Sequence, residues 1–182
     1  IASGIEGIEI LSDYFDLYTE YEKKYDVTTW MFGRKTAEMF AQSINSEVYD
    51  EKINNGEDFL GNYVSTHFAI ITDFSGKLKW ENNYISLSNN PNKFNLIIIV
   101  NKNTPEIFLK YLRSKDIAYV HTDSNDTLTS ALVKIKSVYK IEKIQLEGGG
   151  ILNGHMLKEN LVNEISLLIT PIIANRKSAP AL

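Results

Sequence analysis

Short β-branched and aromatic runs punctuate this chain: Val27 to Phe32, His67 to Thr72, Phe94 to Val100 and Ile117 to Val120. Such runs read as strands. The unbroken apolar stretch from Phe94 to Val100 suits a strand covered on both faces. A short strand is also expected from Lys77 to Trp80, after a turn at Asp73 to Gly76. Between the runs, apolar positions change to a helical period. Ile8, Leu11, Phe15, Tyr18 and Tyr25 share one face, and Ala37, Met39, Phe40 and Ala41 follow the strand at Val27 to Phe32. Ile107, Phe108, Tyr111 and Leu112 mark another helix, which Thr104, Pro105 and Glu106 would start as cap, first-turn proline and dipole-matched carboxylate. Leu128, Leu132, Ile135 and Tyr139 mark a helix ending near Lys140, with cap candidates in Thr122 to Asp126. Ser43 to Tyr63 and Asn82 to Asn92 are polar and read as loops.

The most informative stretch runs from Lys143 to Thr170. Lys143 to Leu146 alternates like a strand and Glu147 closes it. Gly148, Gly149 and Gly150 follow, then Ile151, Leu152, Met156 and Leu157 at helical spacing. Asn160 suits the left-handed residue that ends many helices. Ile165 to Ile169 predicts a further strand, stopped by Pro171, and Asn175 to Leu182 reads as a tail.

Strands alternating with helices predict one α/β domain over residues 1–182, with a mainly parallel sheet and right-handed crossovers. In such folds ligands lie beyond the carboxyl ends of the strands. The connections Gly33 to Thr36, Val100 to Thr104, His121 to Asp126 and Glu147 to Gly150 each follow a strand and precede a helix, so they are expected along one edge. Two of them are suited to anions. Consecutive glycines before a helix leave backbone N–H groups converging on one point, where the helix dipole adds positive charge. At Gly33 to Thr36, two cations and a hydroxyl open a helix. Cations are disfavoured beside a positive helix end, and an anion held between Arg34 and Lys35 would remove that conflict; both side chains pointing into solvent is the alternative. One ligand with several phosphates, such as a dinucleotide, would explain both loops.

Composition narrows the rest. Lys and Arg number 19 against 23 Asp and Glu, a formal net charge of -4, which gives no bulk attraction for nucleic acid. There is no cysteine, so thiolate chemistry and disulfides are excluded. No apolar run approaches the length of a membrane span, and a cytoplasmic protein is expected. His67, His121 and His155 lack metal-ligand spacing, so no metal is expected. Trp30 and Trp80 are expected in the core. The pattern G-x-G-x-x-G is incomplete, because Asn153 stands where its third glycine would be, and no P-loop is present.

Glu147-Gly148-Gly149-Gly150-Ile151-Leu152-Asn153-Gly154, then Leu161-Val162-Asn163-Glu164-Ile165-Ser166 running into Thr170-Pro171, and Gly33-Arg34-Lys35-Thr36 after a strand, resemble the dihydrofolate-reductase-like superfamily. More closely, the chain resembles the reductase domain of riboflavin-biosynthesis proteins, which reduces a ribosylated pyrimidine. The resemblance covers nearly the whole chain. It implies a three-layer fold with a mostly parallel mixed sheet flanked by helices, NADPH across the strand ends, a small-molecule substrate and a homodimer. By the same resemblance Gly148, Gly149, Gly150, Ile151, Leu152 and Asn153, on to His155, contact the cofactor, with Gly33, Thr36 and Asp73 from other loops. Arg34 and Lys35 would meet the 2′-phosphate of NADPH, and Glu147 the substrate. The family's first strand carries a Ser/Thr-x-Asp-Gly segment, expected upstream of Ile1. Its substrate-phosphate stretch has no match in Phe40 to Asn45. No deaminase zinc motif occurs, which implies a stand-alone reductase domain. A regulatory module that binds a nucleotide without turnover would use the same glycine-loop physics.

Overall fold

The computed structural model describes residues 17, 20, 24–43, 55–87, 90–167 and 169. Strand β1 is Thr29–Gly33, followed by a single helical turn, α1, at Arg34–Ala37. Then come β2 (Gln42–Ser43), β3 (His67–Thr72), β4 (Leu78–Lys79), β5 (Tyr84–Leu87) and β6 (Asn90–Val100). Helix α2 (Glu106–Ser114), β7 (Ala118–His121), α3 (Leu128–Tyr139), β8 (Gln145–Gly148) and α4 (Gly150–Lys158) complete the order. In the main sheet β6, β3, β1 and β8 lie side by side, and both β5 and β7 pair with β6. Every pairing in that sheet is parallel except β5 with β6. The two short strands β2 and β4 form a separate antiparallel pair.

Alternation along the strands sorts the core into two layers. Phe32, Ala69, Ile71, Leu96, Ile98 and Val100 face one way and meet Ala37 of α1 and Phe108, Leu109 and Leu112 of α2. Met31, Phe68, Ile70, Ile97, Ile99 and Val120 face the other way and meet α3 through Leu128, Ala131 and Ile135, and α4 through Leu152 and Met156. Successive strand residues point to opposite faces, so a fully apolar strand such as β6 needs cover on both. The result is helices, sheet, helices: the expected three-layer arrangement.

The chain builds outward from β1 through β3 and β6 to β7, then returns to place β8 on the other side of β1. The direction of winding therefore reverses between β1 and β8. In open α/β sheets such a reversal marks where ligands bind, beyond the strands' carboxyl ends. The loops after Gly33 and Gly148 leave neighbouring parallel strands at that end.

Several sequence expectations need correction. The helix after Gly33 stops after one turn and passes into tighter turns, in which the Met39 and Phe40 N–H groups donate to the Thr36 and Ala37 carbonyls, and Phe40 packs against Phe32 with ring centroids 5.6 Å apart. The polar stretch Asn82 to Asn92 is largely strand: β5 pairs antiparallel with the start of β6. Burial of Ile85 and a Lys93 cation 4.2 Å from the Tyr84 ring support that pairing despite the polar composition. Thr104 does not cap α2; its hydroxyl donates to the Phe74 carbonyl at 2.9 Å and so ties two loops together. Ile165 to Ile169 forms no strand in its described residues, where Ile165, Leu167 and Ile169 are exposed. Alternation makes a strand only where a neighbour supplies ladder bonds. Within the expected first helix, residues 17, 20, 24 and 25 are helical; Ile8, Leu11, Phe15 and Tyr18 lie outside the described residues, as do Ile172, Ile173 and Asn175 to Leu182.

Part of the long polar segment is anchored. Phe59 and Tyr119 exchange backbone hydrogen bonds of 3.0 and 2.8 Å, adding a rung to the outer edge of β7. The Asp58 carboxylate accepts from the His121 backbone N–H at 2.7 Å and lies 3.0 Å from Lys134 Nζ. Burial lowers the His121 pKa, although Asp58 opposes it. His121 thus serves the fold as the anchor of this strap. A strap across an edge strand blocks unwanted pairing.

Candidate functional site

The site grows from the end of β8. Glu147 is a bulge: Leu146 pairs with Met31 and Gly148 with Phe32, so Glu147 has no residue opposite it. Bulges re-aim side chains and are common beside active sites. Glu147 is 9 % exposed, and one of its carboxylate oxygens accepts from the Gln145 side-chain amide at 2.5 Å. The chain then turns sharply. Gly148 has φ 83° and Gly149 φ 31°, conformations that cost a residue with a side chain about 1–2 kcal/mol. Helix α4 starts at Gly150 with Gly149 as its N-cap and no side-chain cap. It ends as the sequence suggests, with Asn160 at φ 55° and the Leu161 N–H donating to the Met156 carbonyl at 2.9 Å.

The two loops expected to share a ligand do meet. Thr36 Oγ1 donates to the Gly148 carbonyl at 3.3 Å. A Cβ on Gly149 would lie 3.5 Å from Thr36 Oγ1, and one on Gly33 would lie 3.4 Å from the Gly148 carbonyl oxygen. A Cβ on Gly150 would meet nothing within 4 Å. The cradle is therefore open at Gly150 and closed beneath it.

The helix termini differ in their electrostatics. Helix α2 carries Glu106 in its first turn. Helix α3 is capped from a distance: Glu159 accepts from the N–H groups of Leu128 and Thr129 at 3.0 and 2.9 Å, and from the Thr129 hydroxyl at 2.8 Å. Thr122 to Asp126 supplies no side-chain cap to α3, contrary to expectation. Helix α4 has neither an acidic first turn nor a cap. The N–H groups of Gly150, Ile151 and Leu152 lack intrahelical acceptors by helix geometry. Among the described helices of nine residues or more, α4 alone has a terminus free to receive an anion.

Glu159 yields a direct test. Burial raises its pKa, but hydrogen bonds from Thr129 and Leu128 outweigh this and hold the carboxyl below its ordinary value. A lowered carboxyl pKa adds stability above the ordinary value, and that stability is lost as pH falls through the folded one. Glu159→Ala should cost about 1 kcal/mol at pH 7, the usual worth of a helix cap. Urea unfolding of both proteins should show the gap narrowing once pH drops below 4.5, the ordinary value.

Other expected contacts are placed differently. Leu152 is buried in the core, leaving only its backbone for a ligand. The Asn153 side chain lies over Gly148, its amide atoms 3.2 and 3.3 Å from where a Cβ there would sit. Ile151 is exposed at the helix start. Asp73 is 1 % exposed and closes its own turn, accepting from Ser75 Oγ at 2.9 Å and from the Lys77 and Leu78 N–H groups at 2.8 and 2.9 Å. Burial raises its pKa, against lowering by those bonds and by the Arg34 charge. Its carboxylate is thus engaged within the protein, which argues against a direct cofactor contact.

Arg34 and Lys35 both contact Glu38, at 2.6 and 3.1 Å. Glu38 therefore supplies a counter-charge to both cations at the start of α1. Spacings of three and four residues on one turn were a legible signal for this. Among the described residues no group of His, Asp and Glu is arranged to hold a metal, and no helix is long and apolar enough to cross a membrane.

Residues 23–177, well over half of the chain, match the family described as RibD C-terminal domain.

Proposed function

The chain belongs to the RibD C-terminal domain family, a reductase-like domain of riboflavin biosynthesis, and from that premise we propose that it is an NADPH-dependent reductase. The observation that carries this reading is the uncapped, open start of α4 against the Thr36 loop. Backbone N–H groups of Gly150, Ile151 and Leu152 would hold the coenzyme's bridging phosphates. Gly149 gives the backbone room to approach, and Thr36 braces the loop through Gly148. Arg34, with Lys35 beside it, would meet the 2′-phosphate, for which a guanidinium offers paired donors. Asn153, folded over Gly148, would fix the turn rather than reach the ligand. Bound NADPH supplies a hydride, and the chain's task is to orient it toward the acceptor carbon.

Glu147 is the substrate group of this reading. Its bulged position at the strand end suits a carboxylate accepting from substrate hydroxyls. The substrate class is a small ribosylated pyrimidine or a pterin-like molecule, reduced at an open-chain sugar carbonyl or an imine. The same reading takes the protein as a cytoplasmic homodimer.

Calorimetric titration with NADPH and NADH tests the coenzyme. Binding should favour NADPH, and Arg34→Ala should weaken NADPH about tenfold, the worth of a hydrogen bond between charged groups. Failure of both coenzymes to bind would sink the proposal. Binding without NADPH oxidation by any carbonyl or imine acceptor would leave a regulatory nucleotide-binding module.

A further inference from the structure

Among the described residues, Glu38 is the carboxylate that touches both cations assigned above to the coenzyme. Its Oε1 lies 2.6 Å from Arg34 Nη1, and its Oε2 lies 3.1 Å from Lys35 Nζ. A single side chain thus spans both. The group is also next to the glycine cradle, since Thr36 on the same turn reaches the Gly148 carbonyl. Asp73 also feels the Arg34 charge, but its carboxylate accepts from its own turn, so Glu38 is the carboxylate in direct contact with the two cations among the described residues.

We infer that Glu38 is a specificity-determining residue, a built-in competitor for the coenzyme's 2′-phosphate. This rests on the NADPH reading above. In the free protein Glu38 holds Arg34 and Lys35. A phosphate brings a charge of about −1.5 to −2 and three acceptor oxygens, against one charge and two oxygens for the carboxylate. It can therefore displace Glu38. NADH presents only a hydroxyl at that position and leaves the Glu38 contacts in place. The carboxylate subtracts from NADPH affinity without subtracting from that for NADH. It also keeps the cations from collecting other, weaker anions.

The test titrates the full chain with NADPH and NADH in four forms: wild type, Glu38→Gln, the Arg34→Gln/Lys35→Gln background, and Glu38→Gln on that background. Glutamine keeps the size of the side chain and removes its charge, making the corner more positive by one. NADPH should bind Glu38→Gln about two- to fivefold more tightly, the range of a partly exposed ion pair. NADH should be unchanged. On the doubly neutral background the gain should vanish, because the competed cations are gone. Unchanged or weaker NADPH binding by Glu38→Gln would overturn the competitor role and make Glu38 a support for Arg34. Equal tightening of both coenzymes would also overturn it. If wild type binds neither coenzyme, the reductase reading fails first and the role of Glu38 fails with it.

Discussion

A Gly150→Val variant should fold like the wild type yet bind NADPH at least about tenfold more weakly, a loss of about 1.4 kcal/mol. The contrast follows from the geometry of one residue. Gly150 is the first residue of α4, and its position has ordinary helical freedom, unlike Gly148 and Gly149. A Cβ at Gly150 meets no atom of the protein within 4 Å. The Cβ of valine there falls in open space, and valine loses less backbone entropy on folding than glycine. Its methyl groups would instead fill the opening that the N–H groups of the first turn face. A phosphate could no longer approach them. Gly148→Ala is the useful counterpart. It forces a side chain onto φ 83° and toward Asn153, so it should lower stability by about 1–2 kcal/mol as well as disturb binding. Thermal melts and coenzyme titration, run on both variants, separate the two effects. Undiminished NADPH binding by Gly150→Val would remove the glycine cradle from the proposed site.

Asp73→Ala should be the most destabilising single change near the strand ends, by about 3 kcal/mol. The Asp73 carboxylate is almost wholly buried and accepts from one hydroxyl and two backbone N–H groups. Alanine leaves those donors facing a cavity, and each unpaired buried donor costs about 1–3 kcal/mol. For a protein of this size 1 kcal/mol moves the melting temperature by about 2–4 °C, so a fall of about 6–12 °C is expected. Differential scanning calorimetry reads it directly. Coenzyme affinity, measured well below the lowered melting temperature, should stay within about twofold, since this carboxylate is turned into its own loop. A selective loss of NADPH binding with unchanged stability would restore Asp73 as a cofactor contact.

The strand and helix periods made most of the fold legible. His67 to Thr72 is the strand that its β-branched run suggests, and the apolar run of β6 is covered on both faces. Alternation of strands and helices announced a parallel sheet, and the glycine run announced a tight strand-to-helix turn. Asn160 ends its helix where the left-handed preference of asparagine places it. Each of these depends on residues a few positions apart, so local sterics and periodicity suffice.

The site was legible only in part. Gly33 to Thr36 and Gly148 to Gly150 are recognisable separately, but their contact through Thr36 depends on β8 pairing beside β1, a choice made by residues more than a hundred positions apart. The bulge at Glu147 follows from the register of that same pairing. Whether a helix terminus is free also depends on distant residues. Glu159 sits at the far end of α4 and silences the start of α3, 30 residues earlier, which no local pattern at Thr122 to Asp126 reveals. Asp73 looks in sequence like a carboxylate at a strand end and becomes a turn anchor once Lys77 and Leu78 fold over it. The sequence by itself determined most of the elements and the two anion-suited loops, because short-range sterics and burial patterns act within a single segment. Tertiary structure alone decided which terminus stays open and which carboxylate is already engaged, because those hydrogen bonds form between groups that folding brings within about 3 Å.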